Sequence, residues 1–254
     1  MLPFPAVLLL VPVGVAAGFL NVVAGGGSLL TMPALIFLGL DAATANGSNR
    51  IALVGQNAMA MINFYRKGFR DLKLGLVLAL PAVIGAVAGA QIAIEIDDLL
   101  FRRILSVVML VVLAGILIKQ KKKSRQEAPE HQDERLRLLP LQLALFVVIG
   151  AYGGFIQAGV GYLLIFALSV VGDLSLVRTN SIKVIVIALY MVPSLAVFVV
   201  GEKVSWVPGL VLMVGNSIGG WLGSAFTIAR GDRWIRVVLA LAVTTMALKL
   251  MGLF

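Results

Sequence analysis

The chain has no cysteine, a single histidine and little charge, with 13% of its 254 residues being Asp, Glu, Lys or Arg. A soluble domain carries roughly a quarter. Without cysteine, disulfides and thiolate metal sites are excluded. No His, Cys, Asp and Glu group has metal-ligand spacing, so no metal or other cofactor is expected. The lone His131 lies in a polar stretch and reads as solvated. No nucleophile is paired with a base in the apolar segments, which argues against an enzyme. No carboxylate stands out there as a proton relay. Gly25-Gly26-Gly27-Ser28 lacks the Gly-Lys-Ser/Thr ending of a phosphate loop. Nor does a basic stretch precede the first apolar run (Met1-Leu-Pro-Phe-Pro5), which argues against a cleaved signal peptide.

What the chain has is apolar sequence, at 60% of residues. Its long runs approach the 20 or so residues that cross a bilayer as helix. They are continuous rather than alternating, unlike barrel strands. The expected class is an all-α polytopic membrane protein with the lipid bilayer as its surroundings. The net charge of +9 does not signal nucleic acid. The bases sit in short loops between apolar runs, where cytoplasmic Lys and Arg set topology.

One mixed-charge stretch, 119–137, divides the chain into a first membrane repeat (1–118) and a second (138–254). It reads as a solvated linker. Gly75-Leu-Val-Leu78 recurs as Gly209-Leu-Val-Leu212, and residues 75–105 share 11 identities in 31 positions with the stretch 134 residues later. Nearer the start of each half, Gly14, Gly18 and Phe19 match Gly150, Gly154 and Phe155. Asn21 matches Gln157, and Ser48-x-Arg50 matches Ser181-x-Lys183. Such a repeat marks a duplicated bundle.

In the first half the runs predict segments 6–24, 29–40, 42–64, 72–94 and 99–118. In the second they predict 138–158, 162–171, 175–200, 206–228 and 233–252. The second segment of each half is too short to cross alone and follows a glycine break. Each half is therefore expected to hold three or more spanning helices plus a broken or re-entrant segment, eight or ten segments in all. Asp41 and Ser175 read as N-caps of the third segment. Gly85-x-x-x-Gly89 and Gly215-x-x-x-Gly219-x-x-x-Gly223 read as close helix packing. With an odd number of crossings per half the repeats are inverted, and 14 of the 21 bases fall at the cytoplasm. The linker is then cytoplasmic and both termini lie outside.

The chemistry is expected at the breaks. Inverted repeats with interrupted helices at matching places bind substrate there. Arg50, ninth in its segment, lies roughly 13 Å deep, and Lys183 is comparable. Neither has an acid one turn away, so an anion is the expected partner. Asn46, Ser48 and Asn49 accompany Arg50, and Asn180 and Ser181 accompany Lys183. Asn21 and Gln157 precede Gly25, Gly26 and Gly27 and Gly159-x-Gly161. Short helices starting near Ser28 and Tyr162 would offer free N–H groups to an anion. Gln56, Asn57 and Tyr190 are candidate gate or cavity-lining residues.

The pattern Gly14-x-x-x-Gly18-x-x-Asn21-x-x-Ala24-Gly-Gly-Gly-Ser28, then Pro33-Ala-Leu and Ala45-Asn-Gly-Ser48, resembles the TauE/SafE family of sulfite and organosulfonate exporters. The second-half motifs Gly150-x-x-x-Gly154-Phe-x-x-Ala-Gly159-x-Gly161 and Thr179-Asn-Ser181 resemble its repeated motif. Two departures are visible: Asn49-Arg50 stands where a small or hydroxyl residue and an apolar one are expected, and Ile165-Phe-Ala167 replaces the stretch around Pro33. The resemblance implies a bacterial inner-membrane exporter of small sulfur-containing anions. Alternatives are an uptake carrier for another small organic anion or organosulfur compound, and a non-transporting scaffold subunit. The sequence leaves homo-oligomerisation open.

Overall fold

The computed structural model describes residues 7–118, 140–172 and 174–250. The linker 119–137, with His131, and the chain ends lie outside them. Among the described residues the regular secondary structure is entirely helical. The first half holds α1 (Leu10–Val23), α2 (Ser28–Phe37), α3 (Ala42–Arg66), α4 (Leu72–Glu95) and α5 (Asp98–Ile118). The second holds α6 (Pro140–Phe155), α7 (Val160–Phe166) running into a π-helical turn (Ala167–Val171), α8 (Leu176–Val200) and α9 (Trp206–Leu250). Gly231, at φ 66°, breaks α9 close to the boundary expected between 228 and 233.

Among the described residues three helices are long and apolar enough to cross a membrane: Leu72–Glu95, Leu176–Val200 and Trp206–Gly231. Helix α3 has 25 residues but carries Asn46, Asn49, Arg50, Gln56, Asn57 and Asn63, all buried. Polar groups are too costly to face lipid, so α3 turns them into the protein. Its start is capped by local chemistry. The Asp41 carboxylate accepts from the Thr44 N–H at 3.0 Å, as Ser175 Oγ accepts from Arg178 N–H at 3.4 Å at the start of α8.

Small residues decide which helices meet. Helix α1 packs chiefly on α9, and α6 on α4. A Cβ on Gly14 would stand 2.9 Å from Leu212 O, and one on Gly219 2.7 Å from Phe19 N. A Cβ on Gly85 would stand 2.6 Å from Ala151 N, and one on Gly154 2.6 Å from the Ala86 carbonyl carbon. Only glycine lets the backbones approach this closely, and dense van der Waals contact is what drives helix association in lipid. Helix α3 also packs on α9, α4 on α8, and α3 on α8. Exchanging the halves (α1 for α6, α3 for α8, α4 for α9) reproduces this set of pairs. A core of Leu53, Leu78, Phe146, Leu164, Ile182 and Tyr190 joins elements of both halves.

The loops tie the ends of the bundle. At one end the Ala42 N–H donates to Asp98 Oδ1 at 2.5 Å, and Arg102 Nε pairs with Asp98 Oδ2 at 2.6 Å. Burial there opposes ionisation of Asp98. The Ala42 hydrogen bond and the Arg102 and Lys203 charges outweigh it, holding the carboxyl below its ordinary range. Also at the start of α3, the Ser205 N–H donates to Ser48 Oγ at 2.8 Å, and a Cβ on Gly47 would collide with Lys203 O. The start of α8 instead pairs with the loop after α3, through Arg178 Nε and Asp71 Oδ1 at 2.9 Å.

Candidate functional site

A helix leaves its last carbonyls without intrahelical donors and concentrates partial negative charge there. Helix α1 stops at Val23, and Lys183 meets its end. Lys183 Nζ donates to Asn21 O at 3.1 Å and Val22 O at 2.7 Å. Asn180 Nδ2 donates to Val23 O at 3.3 Å, while its Oδ1 accepts from Lys183 at 2.7 Å.

The end of α6 is met in the same way from α3. Arg50 Nη1 donates to Gly153 O at 3.4 Å and Nη2 to Gly154 O at 2.5 Å. Asn46 Nδ2 donates to Phe155 O at 2.7 Å, and its Oδ1 accepts from Arg50 Nη2 at 3.4 Å. Arg50 Nη1 also donates to Ser194 Oγ at 2.7 Å, and the guanidinium lies 4.3 Å from the Phe198 ring centre. Each cation therefore caps a helix of the opposite half, helped by an asparagine three or four residues earlier on its own helix. One turn separates residues at that spacing, so amide and cation reach consecutive carbonyls together. Arg50 and Lys183 are 0% and 1% exposed.

In the fold these cations are not without partners. Their partners are backbone carbonyls, which any residue supplies and no sequence motif marks.

The breaks lie between these caps. Gly25 (φ 91°) and Gly159 (φ 77°) adopt the left-handed conformation that glycine enters without steric cost. Gln157 adopts it as well, at φ 57°, where a side chain is strained. The two breaks touch: a Cβ on Gly25 would stand 2.5 Å from the Gly161 carbonyl carbon. Gly27 lies against Ala17 and Asn21, and Gly26 against the Tyr162 ring. The first short helix starts at Ser28 as expected, without a side-chain cap. The second starts at Val160, two residues before the expected Tyr162.

The remaining candidates separate. Asn49 and Gln157 are 0% exposed, and neither amide oxygen nor nitrogen has a partner; Ser181 Oγ is likewise buried and unpartnered. The Tyr190 hydroxyl is unpartnered beside Gly153, 2.7 Å from where a Cβ would stand there. Ser48 donates to Thr44 O at 2.7 Å and accepts from Ser205, which commits it to the loop after α8. Gln56 Oε1 accepts from Asn216 Nδ2 at 3.2 Å, and Asn57 donates to Leu53 O at 2.8 Å. Sequence reasoning missed Ser194 and Phe198. Ser194, a hydroxyl amid the apolar run of α8, was the available signal. A cleft of about 390 Å³ lined by Met59, Arg66, Ser217, Ile218, Trp221 and Leu222 lies between α3 and α9 and includes neither glycine run.

Chemically the assembly holds two buried cations against the terminal carbonyls of two interrupted helices. Among the described residues no cluster of His, Cys, Asp and Glu could hold a metal ion.

Relatives agree over nearly the full length. The chain is 27% identical to the probable membrane transporter protein YfcA of Escherichia coli K12, covering 94% of this chain and 87% of that one. It is 26% identical to a probable membrane transporter protein of Haemophilus influenzae, covering 94% and 91%. A probable membrane transporter protein, ORF9, of a Sinorhizobium species is 24% identical over 93% and 88%. No solved structure matches. The model of the sulfite exporter TauE/SafE family matches residues 10–250. The chain belongs to the TauE/SafE family, a family of membrane transporters.

Proposed function

We propose that this protein carries small sulfur oxyanions, sulfite or an organosulfonate, out of the cell across the bacterial inner membrane. It works by alternating access between two inverted repeats. The family description and the transporter names of the relatives support the substrate class and the activity. The carrying observation is the reciprocal capping at the junction of the breaks, which gathers two cations at the ends of two interrupted helices. Each helix end offsets about half a charge, so the junction stays net positive and favours an anion. Asn21, Gln157, Asn46, Asn49, Asn180 and Ser181 supply orienting groups, and the five break glycines let backbone N–H groups approach; Ser48, tied to the loop after α8, does not take part.

Inversion is supported by the ends of the bundle. The start of α3 lies with Asp98 and the 201–205 loop, whereas the start of its counterpart α8 lies with Asp71. Equivalent helices thus begin at opposite ends. The Asp71 end, near Arg66, Lys67, Arg70 and Lys73, is the cytoplasmic one by the positive-inside rule. The linker is then cytoplasmic, both termini are outside, and each short helix is re-entrant.

Purified protein in liposomes should carry sulfite faster than empty liposomes, and Arg50→Ala and Lys183→Ala should insert but abolish flux. Unchanged flux in both variants refutes the site. A wild type that carries carboxylates but not sulfite or sulfonates supports the uptake alternative. A reporter fused to the C-terminus and found cytoplasmic removes the inversion. The scaffold reading draws on one observation, that every Lys183 donor already has a protein acceptor; a wild type that binds no anion would favour it.

A further inference from the structure

The two caps are not equivalent. An ammonium has three N–H donors, and Lys183 places all three on Asn21 O, Val22 O and Asn180 Oδ1. A guanidinium has five, and Arg50 engages its four Nη donors while Nε, fully buried, has no partner. Two further buried polar groups without partners border the same stretch of chain. The Tyr190 hydroxyl stands beside Gly153, whose carbonyl Arg50 holds. The Gln157 amide follows on the strained residue of the second break, whose N–H donates to Tyr152 O at 3.3 Å. All three residues are 0% exposed. Buried polar groups are nearly always satisfied, and one left without a partner is costly. Arg50 and Tyr190 both adjoin Gly153, and Gln157 follows four residues on in the same chain segment.

We propose that the oxyanion is held at the second break alone, by Arg50 Nε, the Tyr190 hydroxyl and the Gln157 amide nitrogen, and that Lys183 is a positioning residue that never touches it. This deepens the anion-carrier reading and rests on it. The three groups donate N–H, O–H and N–H, and the oxygens of a sulfite or sulfonate head accept all of them. The Phe198 ring under the guanidinium fixes its plane, so Nε cannot rotate away to another acceptor. Tyr190, expected from sequence only as a gate or cavity-lining residue, becomes a direct ligand. Lys183 acts through α1, by keeping its end in place, and through its field.

Titration calorimetry and thermal unfolding of the full chain in lipid nanodiscs, with sulfite handled without oxygen and methanesulfonate as second probe, test this. Removing an unpartnered hydroxyl or amide should not harm the empty protein, so Tyr190→Phe and Gln157→Leu are expected to keep or raise the Tm without anion. Both should weaken anion binding about tenfold, the loss of one hydrogen bond to a charged partner. Arg50→Lys should weaken it at least as much, since lysine cannot both cap α6 and present a further donor. Lys183→Met should lower the Tm of the empty protein and weaken binding less than Tyr190→Phe does. If wild type binds either anion but Tyr190→Phe and Gln157→Leu bind as tightly, the subsite is wrong while the carrier reading stands. A larger affinity loss in Lys183→Met than in Tyr190→Phe also overturns it. If wild type binds neither anion, the carrier reading itself fails.

Discussion

Lys183→Met isolates the worth of a cross-half helix cap. Methionine keeps most of the side-chain length and removes the ammonium. Asn21 O, Val22 O and Asn180 Oδ1 then lose a buried donor. Each orphaned acceptor costs about 1–3 kcal/mol, or roughly 3–9 kcal/mol together. Loss of the charge at the α1 terminus adds up to about 2 kcal/mol. Against this, the variant no longer desolvates a charge, a relief of several kcal/mol. The difference is a net loss of about 2–4 kcal/mol, which for a chain of this size lowers the Tm by on the order of 5–15 °C. Thermal unfolding in nanodiscs, read by Trp fluorescence and by monodispersity after heating, measures it. A Tm within about 2 °C of wild type would refute the reasoning, because it would mean that the α1 carbonyls find other donors and the cap is idle.

Two further outcomes are expected. Asp98 has a lowered pKa in the folded chain, so its contribution is present above the ordinary carboxylate value and is lost as pH falls through the folded one. Stability should decline on acidification through and below the ordinary carboxylate range, and Asp98→Asn should flatten that part of the pH profile; an unchanged profile would discount the Ala42 and Arg102 contacts. Gly25→Ala meets both an unfavourable φ and the backbone of Gly161, whereas Gly39→Ala has φ 96° but nothing within 4 Å. Gly39→Ala should cost about 1–2 kcal/mol, while Gly25→Ala adds an overpacking cost of about 1–3 kcal/mol and should reduce the folded yield on size exclusion; equal yields would argue against contact between the breaks.

Local signals read well from the sequence. Asp41 and Ser175 cap their helices because a side chain and an N–H three residues on need no distant partner. The glycine ladders at 85/89 and 215/219/223 announce close packing, yet their partners, each in the opposite half, are not written in either ladder. The cations at 50 and 183 are conspicuous in apolar sequence, but their acceptors are main-chain carbonyls of glycine, valine and asparagine, which have no signature of their own. Hence the sequence alone leaves these cations looking unpaired. The left-handed Gln157 was equally illegible, since nothing in its side chain favours that conformation. The π-helical turn at Ala167–Val171 falls in a plain apolar run, and we have no physical account of it from sequence.

The reciprocal caps bear on how the chain comes to be made. During synthesis the first interrupted helix emerges with its terminal carbonyls bare, and the residues that will cover them, Asn180 and Lys183, follow 157–162 positions later. The amino-terminal portion must wait in the bilayer unfinished. A gene cut at the linker should therefore yield two pieces that are each degraded when produced alone and rescued when produced together.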